Sequence, residues 1–304
     1  MSCTTATAPI DINPSKIKGK CHYKCSYYFR YSNSSCVATN RGDYISIAYD
    51  KSSSPPVMYN SLGYDVQEIR LYTPSLHSYN NVKTDAELIV VHGSKTGSSP
   101  LLVCIPIKSN NTSSNSANFF KTLVDTVASS APSEGESTTV DAPKFNLNGM
   151  VPKKPYFSYT ATEPYQPCST YLVDYIVYAP LQASLDIIPD TLKSLQNIIK
   201  TNGYDIKKGP SLFYNEKGPT DEAGDGEIYI DCQPVDASEE TTEIVIDSGA
   251  SFSFKDWIKS PWVQGFFLAI IVFIFLYIVK YVLNLTGVIK GGNSTSSNSK
   301  ATTA

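Results

Sequence analysis

The sequence predicts a mainly β globular region followed by one apolar C-terminal helix, and three observations carry that expectation. Val, Ile, Thr and Tyr recur in short runs broken by Pro, Gly and Asn, a composition that fits pleated, half-buried strands. The clearest helical patterns, "ANFFKTLVDTVASS" and "IPDTLKSLQNIIKTNG", place apolar residues at three- and four-residue spacing. The nineteen residues from Pro261 to Val279 hold no charge and a single Gln, about the length needed to cross the hydrocarbon core as a helix.

Taken in order, the N-terminus "MSCTTATAPIDI" lacks the basic start and apolar stretch of a secretory signal peptide. A basic segment carrying Lys16, Lys18, Lys20 and Lys24 comes next. It overlaps "CHYKC", where Cys21, His22 and Cys25, with Cys36 nearby, offer metal ligands in a spacing that fits no zinc knuckle closely, so disulfides or buried thiols are expected instead. Arg41–Asp43 reads "RGD", which is expected to be a turn before the strand "YISIAY". In "QEIRLYT", alternation puts Glu68, Arg70 and Tyr72 on one face and Ile69 and Leu71 on the other. In "DAELIVVH" it puts Glu87, Ile89 and Val91 together, opposite Leu88, Val90 and His92. The polar inserts at 109–117 and 129–143 read as surface loops, and Gly203 as the C-cap of the second helix.

The charge is uneven. Residues 1–210 carry 19 Lys/Arg and 16 Asp/Glu, whereas residues 211–256 carry 2 and 12. A mildly basic head thus joins an acidic segment, and neither has the footprint of a nucleic-acid binder. The expected organisation is a globular domain over 1–235 and an acidic stalk over 236–260, then a transmembrane helix over 261–283 and a disordered tail over 284–304. Lys255 and Lys259 on one side of the span balance Lys280 and Lys290 on the other, so the positive-inside count leaves orientation open. Seven cysteines favour disulfides, and their odd number leaves at least one thiol unpaired within the chain.

Several ordered pieces carry a resemblance. "YDVQEIRLYTPSLHSYNNVKTDAELIVVH" is similar to the paired strands of the α-carbonic anhydrases. Those strands bear a His-x-His pair, a Thr-Pro-Ser-Glu-His-like turn and a Glu-x-His. "APIDI" is similar to that family's early Ser-Pro-Ile-Asn-Ile element. "PKFNLNGMVPKKPYFSYTATEPYQPCSTYLVDYIVYAPL" resembles its later segment through Thr-Thr-Pro-Pro-Cys to Trp-Ile-Val. The likeness spans roughly residues 8–200. It implies a large, twisted, mostly antiparallel sheet with peripheral helices.

The departures fall on the chemistry. Zinc-assisted hydration in that family needs three neutral imidazoles and an open fourth position. The corresponding positions here read Arg70, Tyr72 and Ile89, which implies no metal, no cofactor and no catalysis. The family's water-orienting hydroxyl residue falls on Pro164, and its proton-shuttle histidine near Asp43. Glu87 matches the carboxylate that supports a zinc-bound histidine, and the expected partner for it is Arg70. The resemblance also implies a disulfide between Cys3 and Cys168. A zinc-less head with a C-terminal anchor is similar in plan to the cell-surface-binding envelope proteins of poxviruses. That likeness implies a virion-membrane protein attaching to sulfated glycans or a host receptor, with Lys207 and Lys208 joining the four earlier lysines as contacts. The alternatives are a structural virion or membrane protein making only protein contacts and, more remotely, a residual hydrolase or carbonic anhydrase with rebuilt ligands.

Overall fold

The computed structural model describes residues 3–221 and Lys280. The expected stalk, span and tail lie outside the described residues, Lys280 excepted, and so does Cys232. Among the described residues no helix is long and apolar enough to cross a membrane. The chain divides into two units, Met1–Ile244 and Val245–Ala304, and the strands and helices of residues 3–221 all belong to the first.

Its strands, in chain order, are β1 (Asp11–Ile12), β2 (Ile17–Lys20), β3 (Tyr27–Phe29), β4 (Val37–Asn40), β5 (Ile45–Ile47), β6 (Val57–Tyr59), β7 (Leu62–Tyr72) and β8 (Ser78–Tyr79). They continue as β9 (Val82–Lys83), β10 (Ala86–Ser94), β11 (Leu101–Ser109), β12 (Ser137–Thr139), β13 (Tyr156–Ala161), β14 (Val173–Tyr178), β15 (Leu185–Ile187) and β16 (Leu212–Asn215). The helices are α1 (Asn115–Ser130), α2 (Pro180–Ala183) and α3 (Pro189–Ile198). Thirteen strands form one twisted sheet whose main path runs β12-β4-β5-β7-β10-β11-β14-β13-β16-β2. Most neighbours are antiparallel; β11 with β14, β11 with β15, and β16 with β2 are parallel. A small second sheet joins β1, β8 and β9.

Strand periodicity separates two cores. Ile69 and Leu71 of β7 and Leu88 and Val90 of β10 face the first, where Phe120, Leu123, Val124 and Val127 of α1 also pack. Tyr72 and Ile89 face the second, with Val91, Cys104, Tyr159 and Tyr175. The N-terminal residues Ala8, Ile10 and Ile12 complete that second core. The alternation in the sequence therefore sorts these side chains as expected.

Helix α1 begins where Ser114 accepts a hydrogen bond from the Ala117 amide, an N-cap that shortens the expected loop after β11. Helix α3 stops at Ile198, with Ile199 already extended, so Gly203 is not its C-cap. The polar insert at 129–143 carries the short strand β12. The "RGD" segment is a turn: the Arg41 amide donates to the Tyr44 carbonyl, and Gly42 takes φ +83°, which suits a residue without Cβ.

Cys3 and Cys168 are joined by a disulfide, as the resemblance implies. Cys21 and Cys25 form a second, which removes both sulfurs from the metal-ligand alternative. Cys36 and Cys104 are buried, unpaired thiols.

Candidate functional site

The candidate site lies on the second face, where β7, β10 and β11 run side by side. Register puts Arg70 opposite Ile89 and Tyr72 opposite Glu87. Ile89 in turn lies opposite Cys104 on β11. The three positions expected to replace metal ligands are thus neighbours. Ile89 and Tyr72 are fully packed, with 1% and 0% of their surface exposed. Tyr72 packs near Tyr44 and Tyr204, with ring centroids 5.0 and 6.4 Å away. Neither Arg nor Ile offers a lone pair to a cation, so the residues present at these positions do not fit the zinc that the fold family implies.

Arg70 does not pair with Glu87. Its Nε donates to Glu68 Oε2 at 2.6 Å, two residues earlier on the same strand and the same face. Glu68 is held by Ser46, whose hydroxyl donates to Oε1 at 2.5 Å. The guanidinium lies 4.2 Å from the Tyr165 ring centroid and 5.3 Å from that of Tyr44. Its side chain is 15% exposed, and neither Nη has a hydrogen-bond partner among the described residues. Arg70 therefore keeps unengaged donors on a partly open surface.

Glu87 is satisfied from the turn after β7. Its Oε2 accepts the amides of Leu76 and His77 at 2.7 and 3.2 Å. Its Oε1 lies 2.7 Å from His77 Nδ1, and His77 Nε2 lies 2.6 Å from the Tyr159 hydroxyl. Both His77 and Glu87 are buried. Ser75 braces the turn: its amide donates to the Thr84 carbonyl, its hydroxyl donates to the His77 carbonyl, and its oxygen accepts the Thr84 amide. The turn-forming "TPSLH" thus does more than reverse the chain, because it delivers the imidazole and the two amides that engage the buried carboxylate.

One further ligand-bearing group stands here. His77, Glu87 and Cys104 place one ligand atom each within 4.8 Å of one another. Both nitrogens of His77 are already engaged, and burial together with the Glu87 charge pushes the Cys104 thiol well above its ordinary range. The group reads as a closed, self-satisfied network. The other two histidines lie elsewhere. His92 is on the first face, 3.0 Å from the Tyr31 hydroxyl through Nε2 and 3.2 Å from the Leu101 carbonyl through Nδ1. His22 pairs with Glu216 at 3.4 Å.

The six lysines expected at a glycan surface divide in two. Lys16 is 3.2 Å from Asp11 and Lys20 is 2.7 Å from Glu216. Lys18, Lys24, Lys207 and Lys208 have no ion-pair partner among the described residues. Sequence reasoning missed the His77–Glu87 contact because the two belong to separate segments. The available signal was a histidine ten residues ahead of a strand carboxylate across a proline-containing turn.

No protein-family model and no curated protein matches the sequence. Solved structures do match the fold. The α-carbonic anhydrase of Thermovibrio ammonificans aligns with a TM-score of 0.57 at 16% identity, covering 69% of this chain and 87% of that one. A carbonic anhydrase of Chlamydomonas reinhardtii aligns at 0.58 and 15% identity, covering 69% and 91%. Dioscorin, solved in complex with ascorbate, aligns at 0.57 and 17% identity, covering 71% and 88%. The domain therefore has the α-carbonic anhydrase fold.

Proposed function

We propose that this chain is a non-catalytic protein that uses a carbonic-anhydrase-like head to attach a viral envelope or surface to anionic glycans or a receptor on cells. Its apolar C-terminal run holds it in the membrane as a single-pass, tail-anchored protein. The observation that carries the reading is Arg70. A guanidinium with unengaged Nη donors stands where hydration chemistry needs a neutral imidazole, and it fits a carboxylate or sulfate group instead. Lys18, Lys24, Lys207 and Lys208 add charge free of ion pairs among the described residues. The plan shared with poxvirus attachment proteins supports the step from binding to attachment, as an analogy of fold and anchor.

The test is a glycan array probed with the membrane-reconstituted chain at two salt concentrations. Saturable binding to sulfated or uronate-bearing glycans that weakens with salt, and falls at least about tenfold in Arg70→Ala, is the expected result. Binding to no glycan would move the assignment to a structural virion or membrane protein. Stoichiometric zinc with measurable CO2 hydration would overturn the non-catalytic reading.

A further inference from the structure

A cavity of about 430 Å3 opens beside the small sheet, away from Arg70, between the β8–β9 hairpin, the end of β11 and the start of α2. That volume lies in the usual range for small-molecule sites. One part of its lining is apolar: Ile12, Tyr79 and Phe157 come from the second core, and Val82 and Leu181 stand beside them. Val82 is 67% and Leu181 90% exposed, so two of the most exposed large apolar side chains among the described residues share one opening.

The polar part of the lining is Asn80, Lys83, Thr84, Asp85, Lys108 and Ser109, and its three charged side chains are unbalanced. Lys108 has no hydrogen-bond or ion-pair partner among the described residues. Lys83 Nζ reaches only neutral oxygens, the Tyr204 carbonyl at 3.2 Å and Asn202 Oδ1 at 3.5 Å. Asp85 is the one carboxylate in the lining, and its Oδ2 accepts the Ser109 amide at 2.7 Å. Two ammonium groups against one engaged carboxylate leave a net positive charge on the edge of an apolar hollow. Burial also draws the Lys83 amine below its ordinary value, opposed by the more distant carboxylates of Glu87 and Asp205.

We infer that this cavity binds a small amphipathic monoanion, a medium-chain fatty carboxylate, with its alkyl chain along Phe157, Val82 and Leu181 and its head group between Lys83 and Lys108. The inference is independent of the attachment reading, since it uses none of the same residues. An apolar body alone would leave the ammonium groups uncompensated. A small anion alone would leave Val82 and Leu181 in water. The combination answers both.

The test is titration calorimetry of octanoate, hexanoate and octanol into the full chain, reconstituted in nanodiscs of zwitterionic lipid, beside Leu181→Asp and Lys108→Ala. Both substitutions fall on solvent-reaching side chains, and unchanged thermal unfolding checks that each variant is folded. Octanoate is expected to bind saturably at one site per chain. Hexanoate should be weaker by about fifteenfold, about fourfold for each methylene lost. Octanol should be at least about tenfold weaker than octanoate, Lys108→Ala about tenfold weaker than the wild type, and Leu181→Asp should show no saturable heat. Equal heats in the wild type and both variants would mean uptake by lipid only and would overturn the proposal. So would octanol binding as tightly as octanoate.

Discussion

The two faces of the large sheet bury tyrosines and histidines in similar depth but satisfy them differently. On the first face the Tyr27 hydroxyl lies 3.1 Å from that of Tyr31, which lies 3.0 Å from His92 Nε2. The Tyr156 hydroxyl donates to the Cys25 carbonyl at 2.5 Å and that of Tyr59 lies 3.1 Å from Ser158. These are neutral groups linked to one another within the first core. On the second face the histidine is tied to a carboxylate, and the hydroxyls of Tyr72, Tyr79 and Tyr175 have no partner among the described residues. Buried polar groups are ordinarily satisfied, and the Tyr178 hydroxyl on the first face is a further exception among the described residues, so the second face holds more of these exceptions but not all of them. The fold family places its metal chemistry there. Glu87 is held there by the His77 ring and two turn amides, while Tyr72 and Ile89 are packed as bulk beside it.

Substitutions on the two faces should separate these modes of stabilisation. The largest effect is expected from the disulfides. Cys3–Cys168 closes a loop of 165 residues and fastens the N-terminal residues that cover the second face, whereas Cys21–Cys25 spans four residues within the first core. On the loop-entropy model, Cys3→Ser/Cys168→Ser should cost up to about 5 kcal/mol and Cys21→Ser/Cys25→Ser about 2 kcal/mol, read from urea unfolding. Equal costs would erase that contrast. Next, Glu87→Ala strands the buried His77 and two amides and should cost about 3–5 kcal/mol. A cost below about 1 kcal/mol would show that the network adds little to the second face.

The first face has its own test in pH. Burial holds His92 down to about 4, against an ordinary value of 6.5. Unfolded His92 takes up its proton as pH falls through 6.5, and folded His92 resists until about 4. The unfolded state therefore binds more protons in that window, and about 3 kcal/mol of stability should drain away between about pH 6.5 and about pH 4. His92→Gln should remove this part of the slope; an unchanged slope would assign it to other groups. The smallest effect is expected at Arg70, whose pairing with Glu68 is partly open to solvent. Arg70→Ala should cost only about 1 kcal/mol, and a cost near that of Glu87→Ala would mean that Arg70 is as structural as His77.

Much of this contrast was legible in the sequence. Strand alternation grouped Arg70 with Tyr72 and Glu87 with Ile89, each within its own strand, and the family resemblance brought the two groups to one site. What alternation cannot supply is register. The pairing expected between Arg70 and Glu87 fails because β10 sets Ile89 opposite Arg70, leaving Glu68 as the carboxylate at hand. The early end of α3 was hidden because Ile199 extends the apolar pattern of Ile198 after the helix itself has stopped. The Cys21–Cys25 bridge was one of several pairings that spacing allowed. The cavity beside α2 was invisible, because it is assembled from segments as distant as Ile12 and Leu181.

The rim of the large sheet has a consequence for how such heads live side by side. Its two end strands on the main path, β12 and β2, span only three and four residues, and β2 carries Lys18 and Lys20. A short border studded with ammonium groups is a poor template for a neighbour's backbone. Copies of this domain at high density can therefore jostle without zippering into fibres, and crowding need not become aggregation.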